Sequence, residues 1–169
     1  SAAFIRERYP WVVVRETGGN LGFAAGNNVA LRDETADVIV LLNPDVVLST
    51  GALAALAGAL AGDPTIGITG AKLWYPDGIT LQHAGGFITH PQALPGHFGI
   101  GQPDTGKHAA PPDVVPREVA YVIGAAAAVR RELLERIGLL DEGFFLYFED
   151  ADLCARAWRA GYRVVYCPA

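Results

Sequence analysis

The chain has 169 residues, 51% of them apolar and 18% charged, with a formal net charge of −5. That length and composition suit one globular domain with a sizeable core and exclude a disordered chain. The negative balance, with no lysine–arginine cluster beyond the Arg130–Arg131 doublet, argues against a nucleic-acid-binding surface.

Ala2 to Arg8 reads as a helix already under way, and the chain holds no methionine, so a piece of a longer protein is expected. Trp11 to Val14, β-branched and bounded by Pro10 and Gly18-Gly19, reads as a strand. Thr17 to Asn28, TGGNLGFAAGNN, is a glycine- and asparagine-rich turn leading into a helix through Val29, Ala30 and Leu31. Such a turn lets backbone approach a ligand and points free N–H groups outward, or it is simply a loop and a helix cap. It has neither the phosphate-loop GK[ST] nor the dinucleotide glycine spacing.

Val38 to Leu42, VIVLL, has no alternation and reads as a strand buried on both faces of a parallel sheet. It ends in Asn43-Pro44-Asp45. Ligands bind beyond the carboxyl ends of such strands, so Asp45 is either a chemical group or the side chain of an ordinary turn. Ser49 or Thr50 caps a helix through Leu53, Leu56 and Leu60 that closes at Gly62, and Ile66 to Ala71 is the next strand. Pro76-Asp77-Gly78 marks a turn between Lys72–Tyr75 and Ile79–His83.

From Thr89 to Pro116 there are six prolines and three of the four histidines (His90, His97, His108) with little periodicity. This is a functional loop or lid, or a disordered segment, and its histidines read as solvated more readily than as metal-bound. Glu118 to Ile123 and Ala127 to Val129 are further strands, and Arg131 to Ile137 is a helix closed by Gly138. Val119 to Val129, the longest uncharged apolar run, is about half the length needed to cross a bilayer. Cys154 and Cys167 are too few for a disulfide framework or a zinc site and are expected as buried thiols in a reducing compartment.

Phe144 to Arg156, FFLYFEDADLCAR, joins a short aromatic run to three acids and an arginine. The run reads as a buried extended segment that delivers charge to a cleft edge, and a helix opens at the acids and stops at Gly161. Asp152 and Arg156 lie at i and i+4 and can pair. Glu149 and Asp150 either complement the helix dipole or do chemistry. Carboxylates after Val38–Leu42 and after the aromatic run suit a hard divalent cation with substrate phosphates, and one left over can be a general base. The expected architecture is a single α/β domain, residues 1–169, with a mostly parallel, Rossmann-like sheet flanked by helices.

Three segments, NLGFAAGNN (Asn20 to Asn28), LLNPDV (Leu41 to Val46) and GLLDEGFFLYFEDADLCARAWRAGYRVVYCP (Gly138 to Pro168), resemble glycosyltransferase family 2. These are inverting, nucleotide-sugar-dependent enzymes of the A-type glycosyltransferase fold, and the chain looks most like the bacterial rhamnosyltransferase-like branch. The resemblance spans nearly everything except residues 89–116. It implies that Asp45, in the last position of the family's Asp-x-Asp motif, holds Mg²⁺ or Mn²⁺. The first acid of that motif is Asn43 here. Asp150 corresponds to the catalytic base, and Glu149 holds the acceptor or orients that base. Asn20, Gly22, Gly26, Asn27 and Asn43 would lie near the nucleotide, and Gly124 and Ala125, on looser grounds, near the sugar or acceptor.

The implied partners are a UDP- or dTDP-linked sugar donor and a saccharide or lipid-linked acceptor, in synthesis of a cell-surface polysaccharide or glycolipid. A cytoplasmic location is implied, with the full-length protein at the inner face of the membrane. Family members begin with a strand that holds the nucleobase and carry a histidine soon after the segment matching Tyr166–Pro168. Neither is present in this sequence, so the piece alone is expected to be poorly active. Two other readings stay open: a non-catalytic sugar- or partner-binding module of the same fold, and a nucleotidyltransferase. The latter calls for a basic residue in the glycine-rich turn, which Thr17–Asn28 lacks.

Overall fold

The computed structural model describes residues 2–108 and 117–168. Among these residues, five helices and nine strands follow in the order α1 (Ala2–Arg8), α2 (Gly22–Leu31), β1 (Val38–Leu42), α3 (Ala52–Gly62), β2 (Ile66–Ala71), β3 (Leu73–Trp74), β4 (Leu81–His83), β5 (Gly86–Ile88), β6 (Pro95–His97), β7 (Arg117–Glu118), β8 (Ala126–Arg130), α4 (Arg131–Ile137), α5 (Glu149–Arg159) and β9 (Arg163–Cys167). The main sheet has the order β1-β8-β2-β9-β7, and two small hairpins, β3-β4 and β5-β6, stand beside it.

The α/β architecture is as expected, but the sheet is mixed, not mostly parallel. Of its neighbouring strands β2 and β9 run parallel, whereas β1-β8, β2-β8 and β7-β9 are antiparallel. Strand β1 is an edge strand covered on both faces but unequally, with Ile39 and Leu41 buried in one core layer and Val38 and Val40 only partly buried against the other. An apolar run records that side chains can be covered, not which neighbour covers them or in which direction it runs.

Burial follows the period of two along the strands. Ala127 and Val129 of β8 join Ile39, Ile68, Val164, Leu133 and Leu153 under α2, α4 and α5. Ala126 and Ala128 turn to the other face, against Leu56, Leu60 and Val165 under α3. Central β2 is buried at every residue, and a Cβ on Gly70 would stand 2.3 Å from Val122 Cβ, so only glycine lets that segment close on the sheet. Half-buried Arg130 ties the end of β8 to the α3–β2 turn, donating to the carbonyls of Ile66, Leu60 and Asp63.

Several local expectations change. Trp11–Val14 forms no strand; Trp11 and Val13 are largely exposed. Helix α3 enters through Gly51 in the left-handed region (φ 86°) with no side-chain cap, in place of Ser49 or Thr50. Of Glu118–Ile123 only Glu118 joins the ladder, although Val119, Tyr121 and Val122 are buried. Part of the 89–116 segment is ordered as β6, paired with β5; residues 109–116 lie outside the described residues. The Asp77 turn holds, its carboxylate accepting from the N–H groups of Ile79 and Thr80.

Candidate active site

A cavity of about 480 Å³ opens beside the end of β1, within the size range of small-molecule sites. One wall is Asn43, Gly124 and Ala125; another is Phe148, Glu149 and Asp150 at the start of α5. Phe23 closes the side toward α2, and Tyr75, Gln82 and His97 form the wall supplied by the hairpins.

The aromatic run does not form the buried strand its composition suggested. Phe145, Leu146, Tyr147 and Phe148 are exposed, and Tyr147 and Phe148 both take left-handed backbone angles (φ 68° and 70°). Such angles are strained for bulky residues and cluster at functional sites. The consequence is a sharp turn that puts apolar rings on the cavity rim and starts α5 at Glu149. The run is held by Gly22. The Phe145 carbonyl accepts from the Phe23 N–H at 2.8 Å, and a Cβ on Gly22 (φ 82°) would stand 2.3 Å from that oxygen.

That turn delivers both acids, Glu149 and Asp150, to the cavity wall. Asp150 Oδ2 accepts from the Gly124 N–H at 3.1 Å and Oδ1 from the Ala151 N–H at 2.7 Å. Burial nevertheless pushes its carboxyl above the usual aspartate range, against the lowering effect of those N–H groups and of His97. Glu149 is 4% exposed, and its Oε2 has no hydrogen-bond partner among the described residues. Burial, reinforced by the Asp150 charge, raises Glu149 as well. Asp152 pairs with Arg156 at 2.7 Å, and Arg156 also donates to the carbonyls of Ile137, Gly138 and Leu139; this pair holds α5 in place and does not line the cavity.

The other sequence-derived residues divide. Asn43 lies in the wall, its N–H donating to the Ala125 carbonyl at 2.9 Å. Asp45 is exposed on the turn after β1 and is not part of the cavity wall. Asn20 accepts from the Gly22 N–H, so the first two N–H groups of α2 are already used by Asn20 and Phe145 and do not point free into the cleft. Gly26 and Asn27 lie further along α2 outside the cavity wall, with the Asn27 amide turned back on the Phe23 carbonyl. Asn28 is buried and bonds both ways with Leu140, a structural clamp. Cys154 and Cys167 are buried free thiols, pushed up to about 12 and about 11 by burial.

Sequence reasoning missed Tyr75, Gln82, Tyr121 and above all His97. Nothing in their spacing signals the cavity, because the hairpins that close it are seated by contacts distant in the chain, such as Gly86 with Tyr121 and Thr80 with Pro103.

Among the described residues, no three His, Cys, Asp or Glu side chains come together as a metal cage. Asp45 is an exposed carboxylate on the turn after β1, the oxygen-donor type that Mg²⁺ and Mn²⁺ take. No helix among the described residues is long and apolar enough to cross a membrane.

Comparison with known proteins follows the same lines. The chain is 31% identical to the N-acetylglucosaminyl-diphospho-decaprenol L-rhamnosyltransferase of Mycobacterium tuberculosis (strain ATCC 25618 / H37Rv), over 96% of this chain and 58% of that protein. It is 27% identical to the rhamnosyltransferase WbbL of Escherichia coli (strain K12), over 90% of this chain and 60% of the relative. The chain thus spans somewhat more than half the length of these relatives. Among solved structures it resembles the mannosyltransferase PcManGT from Pyrobaculum calidifontis in complex with GDP-Man and Mn²⁺, with a TM-score of 0.63 at 23% identity, covering 98% of this chain and 40% of that one. GalNAc-T7 with UDP, GalNAc and Mn²⁺ gives a TM-score of 0.72 at 16% identity, covering 98% and 32%. Both likenesses concern the fold, which is that of these glycosyltransferases. The family described as "Glycosyltransferase like family 2" matches residues 2–169, and the chain belongs to it.

Proposed function

We propose that this chain is the catalytic domain of an inverting glycosyltransferase, one that moves a sugar from a nucleoside-diphosphate donor to an acceptor hydroxyl in cell-surface glycan synthesis. The observation that carries the reading is Asp150. It is a carboxylate fixed by two backbone N–H groups in the wall of a substrate-sized cavity, with its affinity for a proton raised by burial. A general base works best when its pKa is brought toward the working pH, and burial does that here.

In the proposed reaction the acceptor O–H bond breaks and its proton passes to Asp150. The oxygen bonds to the anomeric carbon from the face opposite the diphosphate, and the bond to the diphosphate oxygen breaks, taking its electron pair with it. Asn43 and the Gly124–Ala125 segment line the donor side. Glu149, poorly solvated and with one free oxygen, is placed to receive a substrate hydroxyl. Asp45 would hold Mg²⁺ or Mn²⁺, which when bound offsets negative charge on the diphosphate.

The M. tuberculosis relative is named for L-rhamnose transfer and an N-acetylglucosaminyl-diphospho-decaprenol, which supports a rhamnosyl donor and a lipid-linked acceptor; the proposed donor is dTDP-L-rhamnose and the proposed place of action the inner face of the membrane. The exposed side chains of Leu146, Tyr147 and Phe148 on the cavity rim accord with an acceptor that has an apolar part. The test is a nucleotide-sugar panel on the full-length protein with that acceptor. Inversion at the transferred sugar and loss of transfer in Asp150→Asn, with donor binding kept, support the proposal. Donor binding without transfer in the wild type would instead identify a binding module.

A further inference from the structure

His97 stands in a loop whose histidines read as solvated, yet it is held from three sides. Its strand β6 pairs with β5 so that His97 faces Gly86, and Gly86 in turn bridges Tyr121. A Cβ on Gly86 would fall 2.2 Å from the Tyr121 ring, so the absence of a side chain lets the hairpin seat against it. The Tyr121 hydroxyl donates to the Gly96 carbonyl, and the Tyr121 ring meets that of His97 edge-on at 5.8 Å. Finally, the Nδ1 atoms of His83 and His97 are 2.8 Å apart, with ring planes 80° to one another.

A hydrogen bond between two imidazole Nδ1 atoms needs one N–H and one bare nitrogen, which ties the two tautomers together. His83 is fully buried, and its Nε2 has no partner among the described residues. Buried N–H groups left without an acceptor are rarer than unmet acceptors, so the His83 proton belongs on Nδ1. His97 must then accept at Nδ1 and carry its own proton on Nε2. Burial lowers both imidazoles, His83 to about 3 and His97 against the raising effect of Asp150, which favours their neutral forms. The titratable groups around His97 are His83, Tyr121 and, across the cavity from α5, Glu149 and Asp150.

We propose that His97 is a substrate-contacting residue: oriented by His83, it presents a neutral Nε2–H donor to a hydroxyl of the acceptor in the cavity shared with Asp150. His83 is the positioning residue. The inference rests on the glycosyltransferase reading, and it gives the ordered part of the 89–116 segment the task of recognising a saccharide.

The test uses the full-length protein, dTDP-L-rhamnose and N-acetylglucosaminyl-diphospho-polyprenol, with hydrolysis of the donor by water followed in parallel. His97→Phe keeps the ring against Tyr121 but removes the N–H. It should raise the acceptor KM about tenfold, the scale of one neutral hydrogen bond. The donor KM and donor hydrolysis should stay at wild-type values, and His97→Gln, which restores an N–H, should recover much of the loss. Long-range ¹H–¹⁵N correlation spectra of the wild type should show His97 as the Nε2–H tautomer. An unchanged acceptor KM in folded His97→Phe, or an Nδ1–H tautomer at His97, overturns the assignment while leaving the transferase reading intact. A wild-type protein that neither transfers to this acceptor or any other nor hydrolyses any nucleotide sugar overturns both.

Discussion

The Asp150 carboxylate sits 3.1 Å from the Gly124 N–H, so the start of α5 is locked to the segment before β8 that lines the cavity. A Cβ on Gly124 would come 3.0 Å from the tip of the Phe23 ring, so a larger residue there would require the ring to shift. Asp150→Asn preserves size and one hydrogen-bond acceptor but removes the base. Transfer should fall about 10²–10⁴-fold, the usual contribution of a positioned base, with the donor Kd unchanged by calorimetry.

The pH dependence follows from the same burial. A base must be deprotonated to act, and the Asp150 carboxyl is raised above the ordinary aspartate range. kcat/KM should therefore climb with pH through an apparent pKa above that of a free aspartate, and the limb should vanish in Asp150→Asn.

Glu149 makes a separate prediction about stability. Its folded-state pKa is raised, chiefly by burial, so the charged form is disfavoured in the folded chain. The stability this confers is fully present below the unfolded pKa and is lost as pH rises through the folded one. Glu149→Gln removes the charge, so its melting temperature relative to wild type should increase between pH 4 and pH 8. Parallel thermal melts across that range check this, and a constant difference would show that Glu149 is not a strained carboxylate.

Gly22 and Gly26 should respond in opposite directions. Gly22→Ala places a Cβ against the Phe145 carbonyl at a positive φ and should cost at least about 1–3 kcal/mol, measurable by urea titration. Gly26 lies inside α2, and a Cβ there would have nothing within 4 Å, so Gly26→Ala should stabilise by up to about 1 kcal/mol.

Asp45 is the test of metal dependence. Binding of dTDP or UDP should raise the melting temperature only when Mn²⁺ is present, and Asp45→Ala should abolish that increment. An equal shift in Asp45→Ala would exclude Asp45 as a ligand.

Much of this protein is determined by its sequence alone. The helix of α5, its acidic first turn and the Asp152–Arg156 pair follow from local spacing, because an i, i+4 contact needs only helix geometry. The turn at Asp77 is equally local. The motif segments carried the family, and the α/β layering followed from alternating apolar runs.

The tertiary structure decided the rest. Which strands pair, and that all but one neighbouring pair in the main sheet is antiparallel, depends on partners far apart in the chain. The FFLYF run is exposed because Gly22 and Phe23 capture Phe145 across more than a hundred residues, and its composition alone cannot distinguish a rim from a core. His97 enters the cavity for the same reason: its place is set by His83, Gly86 and Tyr121, contacts that no periodicity records.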